Sequence, residues 1–206
     1  MSEIGIKHII LEKRECFGGI WAYSDDPNIN TVTKKTIMTS PKDLSYFSDM
    51  IPSSKYPTFM TATDFYNYLS KYIKKHNLDK NMLFNQNVVK VYKKNDIHYV
   101  ETDNNKYSSK YLIICSGLNY KRSNVFSKKY PNYTGTVYNA QEVKFNKKLF
   151  NKSQTVMVYG GGETSSDMVM DTYCQAKKVI WCIPNGMWGL SAQILIQNIR
   201  MINFQA

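Results

Sequence analysis

The most informative segment of this 206-residue chain reads Val156-Met157-Val158-Tyr159-Gly160-Gly161-Gly162-Glu163-Thr164-Ser165-Ser166-Asp167. Its apolar and β-branched residues predict a strand over Thr155–Tyr159, and the polar residues after the glycines predict the start of a helix. Dinucleotide-binding folds hold a pyrophosphate with a strand, a glycine turn and a helix in this order. The segment therefore predicts a Rossmann-like unit that begins near residue 155.

Three small residues of this segment suit a bound diphosphate. Gly160 permits a tight turn, Gly162 lets the backbone approach the pyrophosphate, and the small Ser165 allows close helix packing. Free backbone N–H groups and the positive end of a helix favour an anion at this point. The alternative interpretation of the same residues is a glycine-rich turn that binds no ligand.

The residues after the turn predict the rest of a strand-helix-strand unit. We expect a helix over residues 163–175, with Met168 and Val169 on its apolar face, and a strand over Val179–Ile183. A Rossmann unit usually carries an acid for the ribose, or an arginine for a 2′-phosphate, about twenty residues after its glycines. The positions here are Ile183-Pro184-Asn185, which offer neither.

The N-terminal half predicts further elements of the same kind. Ile6–Glu12 is an apolar run closed by an acid, as in an interior strand that ends at a ribose-binding carboxylate, although a plain surface glutamate is the alternative. A helix capped by Thr63 is expected to reach about His76. Residues 87–102 predict a β-hairpin, and Lys110–Cys115 predicts another apolar strand.

Together these elements predict an α/β protein with two Rossmann-like dinucleotide-binding domains, both incomplete, and a β-hairpin or meander insertion. Residues 1–150 would form the first domain without its first strand and glycine loop, and residues 151–206 would begin the second. The missing strand is normally central in the sheet, so strand 6–12 would lose a neighbour. Because an exposed apolar strand edge promotes aggregation, we expect the chain to need a complementary polypeptide segment.

The composition indicates a cytoplasmic protein without a membrane span. No apolar stretch approaches the ~18 residues of a spanning helix, and charged residues interrupt the N-terminal stretch before it could serve as a signal peptide. The cysteines form no CxxC pair and stand apart from the histidines, which argues against a metal site. Reduced cysteines in apolar stretches are typical of the cytosol.

The formal net charge of +11 is compatible with nucleic-acid binding, but its distribution is not. Only Arg14, Arg122 and Arg200 are arginines, whereas bidentate phosphate and base contacts favour arginine. The lysines come mostly as scattered pairs, which is typical of a solvated surface. We therefore expect no nucleic-acid partner.

An ordered series of motifs resembles the flavin-containing monooxygenase family. The acid-ended strand and Gly18-Gly19-Ile20-Trp21 are similar to its FAD-domain segment, and Thr39-Ser40-Pro41-Lys42 is similar to the stretch that follows there. Cys115-Ser116-Gly117 resembles its inter-domain strand end, and Gly160–Asp167 resembles its entry to the NADPH domain. The resemblance covers about residues 6–190, and the series is far more specific than any single motif.

This resemblance implies an oxidoreductase, a flavoprotein that uses FAD, NADPH and O2 to oxygenate a small-molecule substrate at a soft nitrogen or sulfur. Residues 1–150 would then be a partial FAD-binding domain, and residues 151–206 the start of an NADPH-binding domain. The cofactor would supply the chemistry, while protein groups would hold and shield it.

The resemblance also implies roles for single residues. Thr39 would be the catalytic position, near flavin and nicotinamide, where many members have asparagine. Glu12 would bind the FAD ribose, and the FAD-binding residues as a set would be Glu12, Gly19, Ile20, Trp21, Thr39 and Ser40. The residues at the NADPH phosphates would be Gly160, Gly162, Thr164, Ser165, Ser166 and Asp167.

The chain departs from the family at several points. Asn139 stands where the family has a histidine, and Pro184 stands where an arginine for the 2′-phosphate is expected, so a preference for NADPH over NADH is not assured. The first glycine loop is absent, which predicts an N- and C-terminally truncated or split enzyme with weak FAD affinity in this chain alone. The alternative function is a non-catalytic remnant that serves as a nucleotide-binding or protein-interaction module.

Overall fold

The computed structural model describes residues 5–118, 125–143, 149–183 and 199–203. Tertiary contacts divide the chain into two compact units. Unit 1 consists of Met1–Ser24 and Thr31–Tyr120, and unit 2 consists of Asp25–Asn30 and Lys121–Ala206. Within the described ranges, no helix is both long enough and apolar enough to cross a membrane.

The main helix of unit 1 is α1 (Ala62–Lys75), and a capping box fixes its start. The Thr61 hydroxyl accepts a hydrogen bond from the Asp64 N–H at 3.1 Å, and the Asp64 carboxylate accepts one from the Thr61 N–H at 3.1 Å. The predicted cap at Thr63 is therefore wrong, because Asp64 stands three residues after Thr61. Three 3₁₀ turns complete the helical structure of this unit: Gly19–Trp21, Lys42–Leu44 and Leu78–Asn81.

The predicted hairpin is present as part of a three-stranded meander. Strands β3 (Val88–Lys94), β4 (Ile97–Thr102) and β5 (Lys106–Ser109) pair antiparallel in that order. The β3–β4 turn places Asn95 and Asp96 at φ 48° and 59°, in the left-handed region that these two residue types tolerate best after glycine. Strand β5 was not predicted.

The predicted interior strand over Ile6–Glu12 is wrong, because the observed strand is shorter and is not buried in the interior of a sheet. Only β1 (Ile10–Leu11) forms, and it pairs in parallel with the equally short β2 (Met82–Leu83). Ile9 and Ile10 are 51% and 38% exposed. The strand is short because β2 is its one partner within the described residues.

The predicted strand Lys110–Cys115 does not form either. Ile113 and Ile114 are 62% and 73% exposed, and residues 112–117 make no hydrogen bond to any described residue. A β-strand forms only when another strand pairs with it, and an apolar sequence alone does not provide that partner. Unit 1 therefore carries two apolar segments that lie largely in solvent.

Unit 2 contains the predicted Rossmann-like elements. Strands β6 (Thr155–Tyr159), β7 (Lys178–Ile183) and β8 (Ile199–Asn203) form a parallel sheet in that order. Helix α4 (Glu163–Tyr173) connects β6 to β7, so the predicted strand, turn, helix and strand are confirmed within two residues at each boundary. The unit also has β8, which was not predicted, and two short helices, α2 (Val125–Lys129) and α3 (Ala140–Val143).

The core of unit 2 lies between its sheet and α4. Val169 of the helix packs with Val179, Trp181 and Ile183 of β7, and each of these side chains is at most 3% exposed. Val156 and Val158 of β6 pack against the same cluster, so alternate residues of both strands face the helix. This packing holds the turn between β6 and α4 on a rigid support.

Candidate functional site

The turn after β6 is anchored to the neighbouring strand through Gly160. Its N–H donates to the Cys182 carbonyl oxygen at 2.9 Å, and its φ is 132°. A side chain at this φ would strain the backbone, so the turn requires glycine here. The predicted role of Gly160 as the tight-turn residue agrees with this geometry.

The turn then leads into α4 through Gly162. The Gly162 carbonyl oxygen accepts hydrogen bonds from the Ser165 N–H at 3.0 Å and the Ser166 N–H at 3.2 Å. The buried Ser165 hydroxyl donates to the same oxygen at 2.5 Å. Ser165 is thus the small residue that lets the helix begin close to the strand, as its sequence position predicts.

Backbone donors remain available at the amino end of α4. The N–H groups of Gly161, Gly162 and Thr164 donate no hydrogen bond within the described residues. A Cβ atom on Gly162 would meet nothing within 4 Å, so there is open space directly beside this residue. Unpartnered N–H groups at a helix start with room in front of them form an anion-binding site.

The charges around this turn are mixed. Glu163 is the acidic residue of the first helical turn, and its exposed carboxylate repels a second anion at the same helix end. Tyr159 is the last residue of β6 before the turn. A hydrogen bond with Tyr130, followed by burial, raises the pKa of the Tyr159 hydroxyl, while the nearby Lys129 ammonium acts in the opposite direction.

The structure adds one residue to the turn that sequence patterns did not indicate. The Trp181 indole Nε1–H donates to the Gly160 carbonyl oxygen at 2.8 Å from 21 positions away. An apolar aromatic residue in a strand predicts only a core position, so no local signal could have identified this contact.

In unit 1 the predicted FAD residues Glu12 and Gly19 are connected by Arg14. Glu12 Oε1 accepts a hydrogen bond from the Arg14 N–H at 2.8 Å, and Arg14 Nη1 donates to the Gly19 carbonyl oxygen at 2.9 Å. Within the described residues Glu12 Oε2 accepts no hydrogen bond, which leaves it available for a hydroxyl group of a ligand. Arg14 was not predicted to take part.

Trp21 packs edge-on against Phe65 of α1, with ring centroids 4.8 Å apart. Its neighbour Ile20 is exposed, and the Ile20 carbonyl oxygen accepts a hydrogen bond from the Val32 N–H at 2.9 Å. Trp21 also borders a cavity of about 450 Å³. The other residues that line this cavity are Cys16, Ala22, Tyr23, Thr33, Lys34, Ala62, Thr63 and Tyr66.

Thr39 and Ser40 lie on a different loop of unit 1, and both are exposed. The Ser40 and Ser45 hydroxyl oxygens are 2.7 Å apart and share a hydrogen bond. The Met38 N–H donates to the Met60 carbonyl oxygen at 2.8 Å, which holds this loop beside the start of α1. The structure thus brings Glu12 together with Gly19, and Ser40 together with Ser45.

Comparison with known proteins identifies the family. A family model described as flavin-binding monooxygenase-like matches residues 2–196. The chain belongs to the flavin-binding monooxygenase-like family. This confirms the resemblance that the ordered motifs indicated.

Relatives of this flavin-binding monooxygenase-like chain are much longer than it is. Flavin-containing monooxygenase 5 of Oryctolagus cuniculus is 23% identical over 200 residues, which cover 90% of this chain and 37% of that protein. Flavin-containing monooxygenase 3 of Canis lupus familiaris is 25% identical over 203 residues, which cover 92% and 38%. The chain therefore spans little more than a third of the length of these relatives.

Solved structures share the fold of this family member. S-allyl-L-cysteine S-oxygenase from Allium sativum superposes with a TM-score of 0.72 at 14% identity, over 97% of this chain and 51% of that one. The OTEMO complex with FAD and NADP superposes with a TM-score of 0.66 at 19% identity, over 89% of this chain and 35% of that one. These likenesses confirm the predicted α/β fold of the Rossmann type.

The described residues suit a bound nucleotide better in unit 2 than in unit 1. The turn of unit 2 offers three N–H donors and open space, which suits a diphosphate. Unit 1 offers the Glu12 carboxylate, predicted to bind a ribose, but in residues 5–118 no strand leads directly through a glycine turn into an α-helix. Pro184 and Asn185 occupy the positions where a Rossmann unit usually carries the residue that binds the ribose or its 2′-phosphate. Both lie outside the described residues.

Proposed function

We propose that this chain provides the NADP(H)-binding turn and part of the FAD site of a flavin-dependent monooxygenase. The observation that carries this proposal is the set of unpartnered N–H groups of Gly161, Gly162 and Thr164, with open space beside them. Family membership supports the reaction class. By the same family likeness, the substrate would be a small molecule with a soft nitrogen or sulfur.

In this proposal the protein groups of unit 2 bind and orient the pyridine nucleotide, which when bound supplies the reducing equivalents. The N–H groups of Gly161, Gly162 and Thr164 bind its diphosphate. Ser165 and Ser166 keep the Gly162 carbonyl oxygen turned into the helix, so that it does not face the phosphate oxygens. Asp167 lies on the second turn of the same helix and, by family likeness, completes the proposed set at the phosphates.

In unit 1 the proposed contacts are those of a flavin nucleotide. Glu12 Oε2 accepts a ribose hydroxyl, and Gly19, Ile20 and Trp21 form the adjacent wall. Thr39 is the proposed catalytic position, as a short hydrogen-bonding group near the flavin, with Ser40 beside it. We place the boundary between the FAD-binding and NADPH-binding domains near residue 150.

A complementary polypeptide segment is part of the proposal. Ile9, Ile10, Ile113 and Ile114 are exposed on two segments of unit 1 that have free backbone edges in the described residues. An apolar β-strand would cover both the side chains and the unpaired backbone groups. Co-expression with the adjoining coding sequence is expected to yield a yellow protein, and a colourless product would contradict this part.

The substitution Gly162→Ala tests the nucleotide site directly. Because Gly162 has φ −89° and its Cβ would meet no atom within 4 Å, the variant is expected to fold with an unchanged melting temperature. The added methyl group occupies the space for the diphosphate and removes about one charge-assisted hydrogen bond, so NADP⁺ affinity should fall about 10- to 100-fold. Calorimetric titration with NADP⁺ measures this.

Met170→Ala is the matched control, since Met170 is an exposed residue of the same helix about two turns from Gly162. This variant should bind NADP⁺ like the unmodified chain. Equal NADP⁺ affinity of the Gly162→Ala variant and the unmodified chain would contradict the proposed site.

A second candidate function is a non-catalytic module that binds a nucleotide through unit 2 alone. It is favoured by the element order of residues 5–118, in which no strand leads directly through a glycine turn into an α-helix. This function predicts protection from proteolysis by NADP⁺ with no flavin absorbance under any co-expression. Flavin absorbance together with NADPH-dependent bleaching would exclude it.

We also propose that the protein resides in the cytoplasm. The support is that Cys16, Cys115, Cys174 and Cys182 are all free thiols in the structure. Cell fractionation tests this, and recovery in a membrane or secreted fraction would contradict it.

A further inference from the structure

Trp181 links the core of unit 2 to its glycine turn. The side chain is 3% exposed and packs with Val179 and Ile183 on the face of β7 that α4 covers. A buried indole N–H normally needs an acceptor, and here the acceptor is the Gly160 carbonyl oxygen at 2.8 Å.

Both backbone polar groups of Gly160 are therefore fixed by β7. Its N–H donates to the Cys182 carbonyl oxygen, and its C=O accepts from the Trp181 indole. The first bond is one of the backbone and does not depend on the side chain. The second depends on tryptophan, because neither phenylalanine nor an aliphatic residue can donate it.

The second bond determines where the next N–H group points. The Gly160 C=O and the Gly161 N–H belong to one planar trans peptide unit, in which they point in opposite directions. When the oxygen is held towards the indole, the Gly161 N–H is directed away from the core of unit 2. Without the indole, the glycine-flanked peptide could rotate and turn this donor inwards.

We propose that Trp181 is a positioning residue that orients the Gly161 N–H for the phosphate of a bound nucleotide. The inference rests on the proposed function and deepens it, since it names what pre-organises the site. Trp181 touches no ligand and acts only through Gly160. A fixed donor binds an anion more tightly than a rotating one, because no ordering occurs on binding.

The test compares Trp181→Phe with Val179→Ala in the full chain. Both changes disturb the same core cluster, but only the first removes the bond to Gly160. Trp181→Phe is expected to weaken NADP⁺ binding about tenfold in calorimetric titration, the effect of losing one well-placed donor. Val179→Ala should lower the melting temperature by a similar amount and leave NADP⁺ affinity unchanged. Equal NADP⁺ affinity in the two variants would overturn the inference.

Hydrogen exchange of the nucleotide-free chain gives a second readout that does not depend on binding. The Ser165 and Ser166 N–H groups donate to Gly162 within the turn, and the Gly160 N–H anchors the turn to Cys182 of β7. Their exchange should be about tenfold faster in Trp181→Phe than in Val179→Ala, because the turn has lost an anchor. If the unmodified chain binds no NADP⁺, the proposed function fails, and this exchange result still decides whether Trp181 holds the turn. Equal exchange in both variants would overturn the inference.

Discussion

The two nucleotide-related regions of this chain differ in how completely they are built. The turn of unit 2 lies between two paired strands and a helix, and the side chains that support it are almost fully buried. The Glu12 region of unit 1 follows a strand of two residues, beside apolar side chains that are half exposed. The difference shows that the proposed nucleotide turn is supported by a paired sheet and a helix, whereas the proposed ribose acid Glu12 has no comparable support.

The largest expected effect contrasts a buried residue of unit 2 with an exposed residue of unit 1. Val169→Ala removes a side chain that is 1% exposed and should lower the free energy of unfolding by about 2 kcal/mol. Ile113→Ala removes a larger side chain that is 62% exposed and should change it by less than about 0.5 kcal/mol. Urea unfolding of both variants measures the contrast.

This prediction can fail in an informative way. If Ile113→Ala destabilised the chain as much as Val169→Ala, the exposed segment of unit 1 would be packed in solution. A complementary strand would then be unnecessary, and the comparison between the regions would lose its basis.

A smaller effect is expected from the charge at the turn. Glu163→Gln removes a carboxylate from the first turn of α4, where it repels a bound diphosphate, so NADP⁺ affinity should rise about three- to fivefold. The helix itself should become slightly less stable, because the carboxylate also interacts favourably with the helix dipole. Calorimetric titration and thermal melting of the same variant record both changes.

Asp171→Asn is the control for this charge effect. Residue 171 lies about 12 Å further along α4, beyond the distance at which exposed charges act at physiological ionic strength. Its NADP⁺ affinity should match that of the unmodified chain. An equal rise in both variants would indicate a general charge effect and no site at the turn.

The smallest expected effect concerns a contact of unit 1 between the loop after the 3₁₀ turn Lys42–Leu44 and the end of α1. Asp49 Oδ2 lies 2.6 Å from His76 Nε2 and 3.6 Å from Lys75 Nζ. Burial acts to raise the pKa of Asp49, but a backbone hydrogen bond, the Lys75 ammonium and the interactions with His76 outweigh burial and lower the pKa below its ordinary value of 3.8.

A carboxyl group with a lowered pKa in the folded state stabilises the fold fully above its unfolded value, and this contribution is lost as the pH falls through the folded value. The stability difference between the unmodified chain and Asp49→Asn should therefore shrink as the pH falls below 3.8. Urea unfolding across this range measures it. A difference that stays constant on acidification would show that the Asp49 contacts do not persist in solution.

Sequence patterns predicted the local features of the fold well. The bounds of β6, α4 and β7 follow from consecutive residues, because the periodicity of apolar positions and the glycines are local signals. The capping box at Thr61 was also predictable from Asp64 three residues later. The prediction of Thr63 as the cap missed this spacing. The hairpin was predictable because two strand-like runs meet at Lys94-Asn95-Asp96, and the structure places Asn95 and Asp96 in the left-handed conformations of a tight turn.

Non-local features could not be predicted in the same way. Lys110–Cys115 has the composition of a buried strand, but no partner pairs with it in the described residues, and composition does not reveal partners. The bonds from Trp181 to Gly160 and from Arg14 to Gly19 join residues through the folded structure. The donors of the candidate site were therefore predictable, and the groups that orient them were not.

Hydrogen exchange of the full chain with and without saturating NADP⁺ tests the central claim most directly. The structure places the unpartnered N–H donors of a helix start at the turn of unit 2, so NADP⁺ should slow exchange in residues 160–167 and leave residues 9–12 unchanged. The same protection should be absent in Gly162→Ala. Unchanged exchange at the turn, or equal protection of both regions, would contradict the account.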